Sequence, residues 1–317
     1  MRPLVSVICL SYNHEKFIRE AVESVLRQTY RPIEIILADD ASTDESPSII
    51  KEMKSEYPSL EIILSPVNVG NCKAFNQAYA LTKGSYLIDF STDDVMAEDR
   101  VEKQVAFFER EGSDTGVIFT DARYIDHQGN ELRTHFKHLF DRNIISEIPT
   151  GDVYRDVLAT YFIASPTMMF RREVLDKLGG YDEQLAYEDF DFTIRSSRYY
   201  KYGFLNEKLT SIRKLQTSMS AKQYARGDRQ LYSTYLVCRK AKQLNRNAKD
   251  DRALMIRVRY ELRQAVLSGK RDEALMFYNF SQELQGVRVT EQLLWMLSRS
   301  GFPFSNLKRL LQAWRYR

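Results

Sequence analysis

Short runs of apolar, often β-branched residues punctuate the first third of the chain at Leu4–Leu10, Ile33–Ala38, Glu61–Ser65 and Tyr86–Phe90. They are apolar almost throughout rather than alternating, which is the pattern of strands covered on both faces. Helical patterns separate them. Phe17, Ala21, Val22, Val25 and Leu26 fall on one helical face with charges opposite. The oxygens of Ser42-Thr43-Asp44 suit the N-cap of a second helix. A third is predicted over about Asn71–Lys83, stopped by Gly84, and a fourth over about Asp99–Glu111, stopped by Gly112. Successive strand–helix–strand units predict a mostly parallel sheet with right-handed crossovers, an α/β doubly wound fold flanked by helices.

After Gly112 the pattern loosens. Val117–Ile125 reads as another strand, and residues 171–198 read as helix, turn, helix, broken at Gly179-Gly180. The polar segment His127–Pro149 carries three of the four histidines and is predicted to be a mobile loop. From about residue 221 the chain is helical, and Asp251–Gln285 resembles a helical hairpin. The expected division is a catalytic domain over 1–220, with halves of about 1–112 and 113–220, and an α-helical C-terminal domain over 221–317.

In open α/β sheets ligands gather beyond the carboxyl ends of the strands. Tyr12-Asn13 stand at the end of the first strand, Asp39-Asp40 at the second, Pro66-Val67-Asn68 at the third and Thr92-Asp93-Asp94 at the fourth. An aromatic ring and four carboxylates therefore meet on one rim. Among the 13 glycines there is no G-x-G-x-x-G and no P-loop, which argues against dinucleotide oxidoreductases and P-loop kinases. Phosphates held on this rim would need a bridging divalent cation.

The 317 residues are 44% hydrophobic and 28% charged, enough apolar material for a sizeable core. The net charge of +3 conceals an asymmetry. Residues 1–206 hold 23 Lys and Arg against 34 Asp and Glu, and residues 207–317 hold 23 against 9. An acidic front suggests metal or hydroxyl chemistry, and a basic back suggests an anionic surface as partner. No apolar run is long enough to span a bilayer, and the first run reads as a strand rather than a signal peptide. Three widely spaced cysteines make no disulfide framework, so a cytoplasmic setting is expected.

The blocks VSVICLSYNHEKFIREAVESVLRQTY, IEIILADDASTDES, NVGNCKAFNQA and STDDV, followed by GGYDEQLAYEDFDFTIR, closely resemble the inverting family-2 glycosyltransferases of the GT-A fold. The likeness covers roughly residues 4–220. It implies a metal-dependent, inverting transfer of one sugar from a UDP-sugar to a hydroxyl of a saccharide acceptor, plausibly lipid-linked, in bacterial surface-polysaccharide synthesis. On this likeness Asp40 accepts the imide N–H of uracil and Tyr12 offers a ring on which a base could stack. Asn13 and Asn68 stand beside them at the donor. Asp39 is expected to satisfy backbone donors in its turn. Asp93 binds donor hydroxyls and shares the metal with Asp94, and hard carboxylates select Mn²⁺ or Mg²⁺. Asp189 is the general base and Glu188 positions the acceptor, with Asp191 behind them.

Plainer readings stand beside these. Tyr12 could cover the core, Asp93-Asp94 could cap a helix, Glu188-Asp189 could dress a helix N-terminus, and Lys73 could be an ordinary solvated lysine rather than a diphosphate contact. The sequence also departs from the family pattern. Ser91 stands where many relatives carry a third aspartate, and Leu215 where many carry a histidine, which implies either weaker metal affinity or more of the phosphate charge borne by Arg213 and Lys214. RSSRYY replaces the Q-x-x-R-W of processive synthases, so one sugar is added per encounter.

Ser305–Arg317 places Leu307, Leu310, Leu311 and Trp314 on one face, with Lys308, Arg309, Arg315 and Arg317 mostly on the remainder. This suits an anchor on an anionic membrane, making the enzyme peripheral on the inner face. It suits equally well packing on the acidic domain or on another subunit of an oligomer. No nucleic-acid reader motif accompanies the charge. Two other functions remain open: a sugar-nucleotide nucleotidyltransferase, which should carry a glycine-rich loop, and a non-catalytic nucleotide-binding scaffold with a basic tail.

Overall fold

The computed structural model describes residues 2–216, 227–285 and 288–299. The chain forms two compact units, one made of the residues up to Val153 together with Phe162–Leu215, the other of Tyr154–Tyr161 and the described residues from Gln216 onward. The first unit opens with β1 (Val5–Ser11), α1 (Ile18–Leu26), β2 (Ile33–Asp39), α2 (Ser46–Glu56), β3 (Glu61–Leu64) and α3 (Asn71–Tyr79). It continues through β4 (Tyr86–Ser91), β5 (Val95–Met96), α4 (Arg100–Arg110), β6 (Thr115–Ile125), β7 (Glu131–Thr134) and α5 (His135–Asp141). Helix α6 (Tyr154–Ala159) belongs to the second unit. The chain then re-enters the first with β8 (Met169–Arg171), α7 (Arg172–Leu178), α8 (Asp189–Ser196) and β9 (Lys201–Arg213).

The strands make one nine-stranded sheet in the order β3-β2-β1-β4-β8-β6-β9-β5, with β7 on β6. The first four are parallel, β8 runs antiparallel to β4 and β6, and β6 and β9 are parallel again. This is the α/β sheet flanked by helices that the alternation predicts. Register sets Val5, Val7 and Cys9 beside Ile35, Leu37, Tyr86, Ile88 and Phe90 on one face. Ile18, Val22 and Val25 of α1, Ile50 and Met53 of α2, and Val101, Val105 and Phe108 of α4 complete that core. The intervening residues Ile8, Leu87 and Asp89 turn to the other face.

Three local expectations change. Helix α3 ends at Tyr79, so Gly84 does not cap it. A Cβ on Gly84 would lie 2.6 Å from Ser6 N and 2.9 Å from Leu4 O, so glycine is needed for close approach to β1. The segment expected to be a mobile loop contains β7 and α5. There His135 is buried, its Nε2 donating to Phe162 O (2.7 Å) and its Nδ1 accepting from the Tyr124 hydroxyl (2.9 Å). Finally, β9 is a 13-residue strand that the apolar pattern does not announce, because its pairing with β6 is interrupted by bulges.

The second unit adds α9 (Gln230–Leu244), α10 (Ala248–Leu267), α11 (Arg271–Gln285) and α12 (Val289–Arg299). The α10–α11 hairpin turns at Gly269, whose φ of 71° lies in the left-handed region. Helix α6 joins this unit through its side chains. The Tyr154 hydroxyl reaches Asn245 Oδ1 (2.7 Å), Arg155 pairs with Asp250 (2.8 Å), and Arg257 donates to Leu158 O (3.3 Å).

Arg100, fully buried, ties α4 to the far half of the sheet. It donates to Gln104 Oε1 (3.0 Å), Thr210 Oγ1 (2.9 Å) and Met168 O (3.1 Å). Arg100→Met leaves those acceptors unpaired and is expected to cost about 3 kcal/mol in urea denaturation followed by circular dichroism. The exposed Lys51→Met should change stability by less than about 0.5 kcal/mol.

Candidate active site

The loops at the carboxyl ends of β1, β2 and β3 are latched to one another. Asn13, at φ 59°, accepts from Thr43 N (2.8 Å) and donates its own N–H to Ser42 Oγ (2.8 Å). Asp39 accepts from Ser42 N (2.8 Å) and from the Ser42 hydroxyl, the turn-holding role expected of it. Asp40 is buried, and its two carboxylate oxygens accept from Val69 N (2.7 Å) and Gly70 N (2.8 Å). Asn68 donates to the Asp40 carbonyl (3.0 Å). Asp40 and Asn68 thus build the loop wall, and each Asp40 oxygen retains a lone pair for one further donor. Tyr12 is 47% exposed beside this wall, and Lys73 is exposed on the first turn of α3.

Beyond β4, Asp93 and Asp94 are buried, adjacent carboxylates. Asp93 accepts from the Ser91 hydroxyl (2.5 Å), while its other oxygen lies 4.0 Å from His14 Nε2. His14 Nδ1 is held 2.9 Å from Thr92 Oγ1. Asp94 accepts from Arg213 N (2.9 Å). Burial, and then the Asp93 charge, push Asp94 well above the usual carboxylate range. Two crowded acids whose charges repel fit a hard divalent cation, which Mg²⁺-type sites hold through one or two carboxylates plus substrate phosphates. Among the described residues no group of three or more His, Cys, Asp or Glu is placed to hold a metal ion.

Arg213, expected at the diphosphate, has its guanidinium engaged within the fold. It is buried, and its guanidinium donates to Asp93 O (3.0 Å), Asp126 O (3.0 Å) and Glu20 Oε2 (2.8 Å), over the Phe17 ring at 4.6 Å. Lys214, next in the chain, is exposed, with Nζ 4.3 Å from the Tyr124 ring centroid and its charge felt by Asp94.

The second acidic pair opens α8. Glu188 occupies the N-cap position and accepts from Asn71 Nδ2. Asp189 accepts from Phe190 N (2.6 Å) and, more loosely, from Ser165 Oγ (3.4 Å). Asp191 is buried and paired with Arg195 (2.7 Å), which also holds Leu178 O and Gly180 O, so it is structural. Burial, then the Asp89 and Asp189 charges, push Glu188 up to about 8. Asp89 itself rises to about 7 through burial, against a hydrogen bond from the Tyr181 hydroxyl (3.0 Å). Asp89, Tyr181, Asn71 and His14 are not picked out by motif reading. The available signal is the lone carboxylate inside the apolar strand YLIDFS.

Carboxyls near pH 4 in the unfolded chain and raised in the fold bind extra protons to the native state between those values. The unliganded protein should therefore lose stability as pH rises from about 4 through about 8, read as a falling melting temperature across a buffer series. Glu188→Gln should flatten that slope.

The sequence profile of Glycosyl transferase family 2 matches residues 6–179. An uncharacterized glycosyltransferase of Methanocaldococcus jannaschii is 30% identical over 220 residues, covering 67% of this chain and 71% of that protein. The chain spans about half the length, 47%, of the next curated relatives it matches. S. aureus TarS 1–349, crystallised with UDP-GlcNAc, has a TM-score of 0.63 at 19% identity, over 93% of this chain and 79% of that one. The mannosyltransferase PcManGT from Pyrobaculum calidifontis, crystallised with GDP-Man and Mn²⁺, scores 0.59 at 16% identity, over 94% and 84%. These solved structures share the fold, and the profile together with the M. jannaschii relative shows that the chain belongs to glycosyl transferase family 2.

Proposed function

We propose that the chain is a metal-dependent, inverting glycosyltransferase that moves one sugar from a UDP-sugar to a hydroxyl of a saccharide acceptor, lipid-linked in surface-polysaccharide assembly. The observation that carries the reading is the presence, in one unit, of two differently furnished acidic pairs, Asp93-Asp94 and Glu188-Asp189. Asp93 and Asp94 would hold the cation, which when bound neutralises the diphosphate as it departs. Lys214 is the side chain near enough to share that task, and Lys73 is a second candidate. Tyr12 supplies a ring for the base, Asp40 a lone pair for its imide N–H, and Asn13 and Asn68 the loop that frames them.

Asp189 acts on the acceptor. As the acceptor oxygen forms its bond to the anomeric carbon, its proton passes to the Asp189 carboxylate, and the bond to the diphosphate breaks with its electron pair leaving on the nucleotide. One displacement inverts the centre. Glu188, held by Asn71, orients the acceptor. The absence of Q-x-x-R-W supports single additions.

A membrane-side acceptor is supported by α12. Val289, Leu293 and Met296 lie along one face at 70%, 53% and 63% exposure. Arg288 and Arg299 flank them, while the one acid of the helix, Glu291, is buried against Arg259 (2.5 Å). No described helix is long and apolar enough to cross a membrane. The amphipathic segment Ser305–Arg317 lies outside the described residues.

Titration calorimetry with UDP and GDP, with and without Mn²⁺, tests the donor assignment. UDP should bind only with the metal, and Asp94→Ala should weaken it at least about tenfold. Preference for GDP would replace the base assignment, and metal-independent or absent nucleotide binding would overturn the donor site. For the membrane, the full chain should float with phosphatidylglycerol vesicles and not with pure phosphatidylcholine, and Leu293→Asp with Met296→Asp should release it. Equal behaviour on both lipids removes the anionic surface from the reading.

A further inference from the structure

His14, in the loop after β1, is held from several sides. Its backbone N–H donates to Ser46 Oγ (3.1 Å), and its carbonyl accepts from Phe17 N and Ile18 N (both 2.9 Å) at the start of α1. The ring is fixed by Thr92, which is fully buried. A threonine hydroxyl has one proton, and Thr92 gives it to Leu10 O (3.1 Å). Thr92 Oγ1 therefore accepts from His14 Nδ1 at 2.9 Å. A neutral imidazole protonated on Nδ1 is an acceptor at Nε2. That nitrogen faces Asp93 Oδ2 across 4.0 Å. Ser91 holds the carboxylate from the other side, its hydroxyl donating to Oδ1 (2.5 Å).

Two acceptors 4.0 Å apart make no bond to each other. Each can accept from one of two neighbouring hydroxyls, since an O–H bond to either spans about 2.8 Å. The order of the sheet says which hydroxyls. Strand β1 lies between β2 and β4. Asp40 and Asn68 follow β2 and β3, and Asp94 follows β4. A nucleotide with its base at Asp40 and its diphosphate at Asp94 crosses the junction of β1 and β4, where His14 and Asp93 stand. The part of a nucleotide between base and diphosphate is the ribose.

We infer that His14 is a specificity-determining residue: it and Asp93 each accept one hydroxyl of the ribose 2′,3′-diol, and so select ribonucleotides over deoxyribonucleotides. The inference rests on the nucleotide-sugar reading of this site and deepens it. No covalent bond is made or broken. One hydroxyl donates to His14 Nε2 and its neighbour to Asp93 Oδ2, while the carboxylates keep further lone pairs for the cation. A nucleotide lacking one hydroxyl leaves an acceptor unpaired, and that penalty rather than the bond alone sets the discrimination. Both acceptors are held before the nucleotide arrives, so selection needs no rearrangement.

Titration calorimetry of the full chain with Mn²⁺ compares UDP, 2′-deoxy-UDP and 3′-deoxy-UDP. Wild type should bind UDP at least about tenfold more tightly than either deoxy form. His14→Phe keeps a ring without a lone pair. It should cut the preference over one deoxy form at least about fivefold and leave the other near its wild-type value. His14→Gln, whose side-chain carbonyl can accept, should restore part of the loss. A role confined to folding would weaken all three nucleotides alike. A second readout needs no nucleotide and no folded Phe variant: ring ¹⁵N shifts of histidine-labelled wild type at alkaline pH, with His14 assigned by its loss in His14→Gln. Nδ1 should carry the proton and Nε2 none.

Equal binding of the three nucleotides by wild type, both preferences unchanged in His14→Phe, or a proton on Nε2 in the neutral ring would overturn the inference. If wild type binds none of the three with Mn²⁺, the donor-site reading is what fails, and the role of His14 falls with it whichever nitrogen holds the proton.

Discussion

The edge of the sheet that carries Asp93 and Asp94 hangs on one buried guanidinium. Arg213 ends β9, and its planar fork reaches the start of α1 through Glu20 and Phe17, the backbone of Asp93, and the turn after β6 at Asp126. Its own backbone N–H fixes Asp94. A lysine could supply the charge but not these divergent bonds, since an ammonium is a point and a guanidinium a plane. The strand most remote in sequence from the acidic pair is therefore the one that holds it in place.

The unit separates two kinds of acid by what stands near them. Asp93 and Asp94 are adjacent, buried carboxylates whose charges repel, with Lys214 and Arg100 acting against that repulsion. Glu188 and Asp89 are held by the Asn71 amide and the Tyr181 hydroxyl, and burial raises the proton affinity of both. The residue types are nearly the same. In the proposed function those surroundings divide the work of stabilising a leaving group from that of accepting a proton.

Much of this was legible in the chain. The uninterrupted apolar runs gave β1 to β4 to within a residue, because parallel strands covered on both faces leave little choice of composition. Pairs such as Asp39-Asp40 and Asp93-Asp94 stood out because they follow strands directly. What stayed hidden depends on long-range partners. The partner of Arg213, Glu20, stands almost two hundred positions earlier. His135 and Phe136 look like loop residues until Tyr124 and the Phe162 carbonyl cover them. The bulges of β9 erase the alternation that would mark it, and Asp89 is hidden in plain view as one polar letter in an apolar strand.

Helix α6 carries a consequence for how the protein is made and cut. The chain passes between the two units three times, after Val153, after Tyr161 and after Leu215. On the ribosome, Tyr154, Val157 and Leu158 emerge long before α10, which begins at Ala248, and must wait uncovered until it arrives. For the same reason no single cut releases the sheet-bearing unit whole: a fragment ending near residue 220 keeps α6 but discards the helices that bury it. Biosynthesis and dissection alike must treat the acidic front and the basic back as one inseparable product.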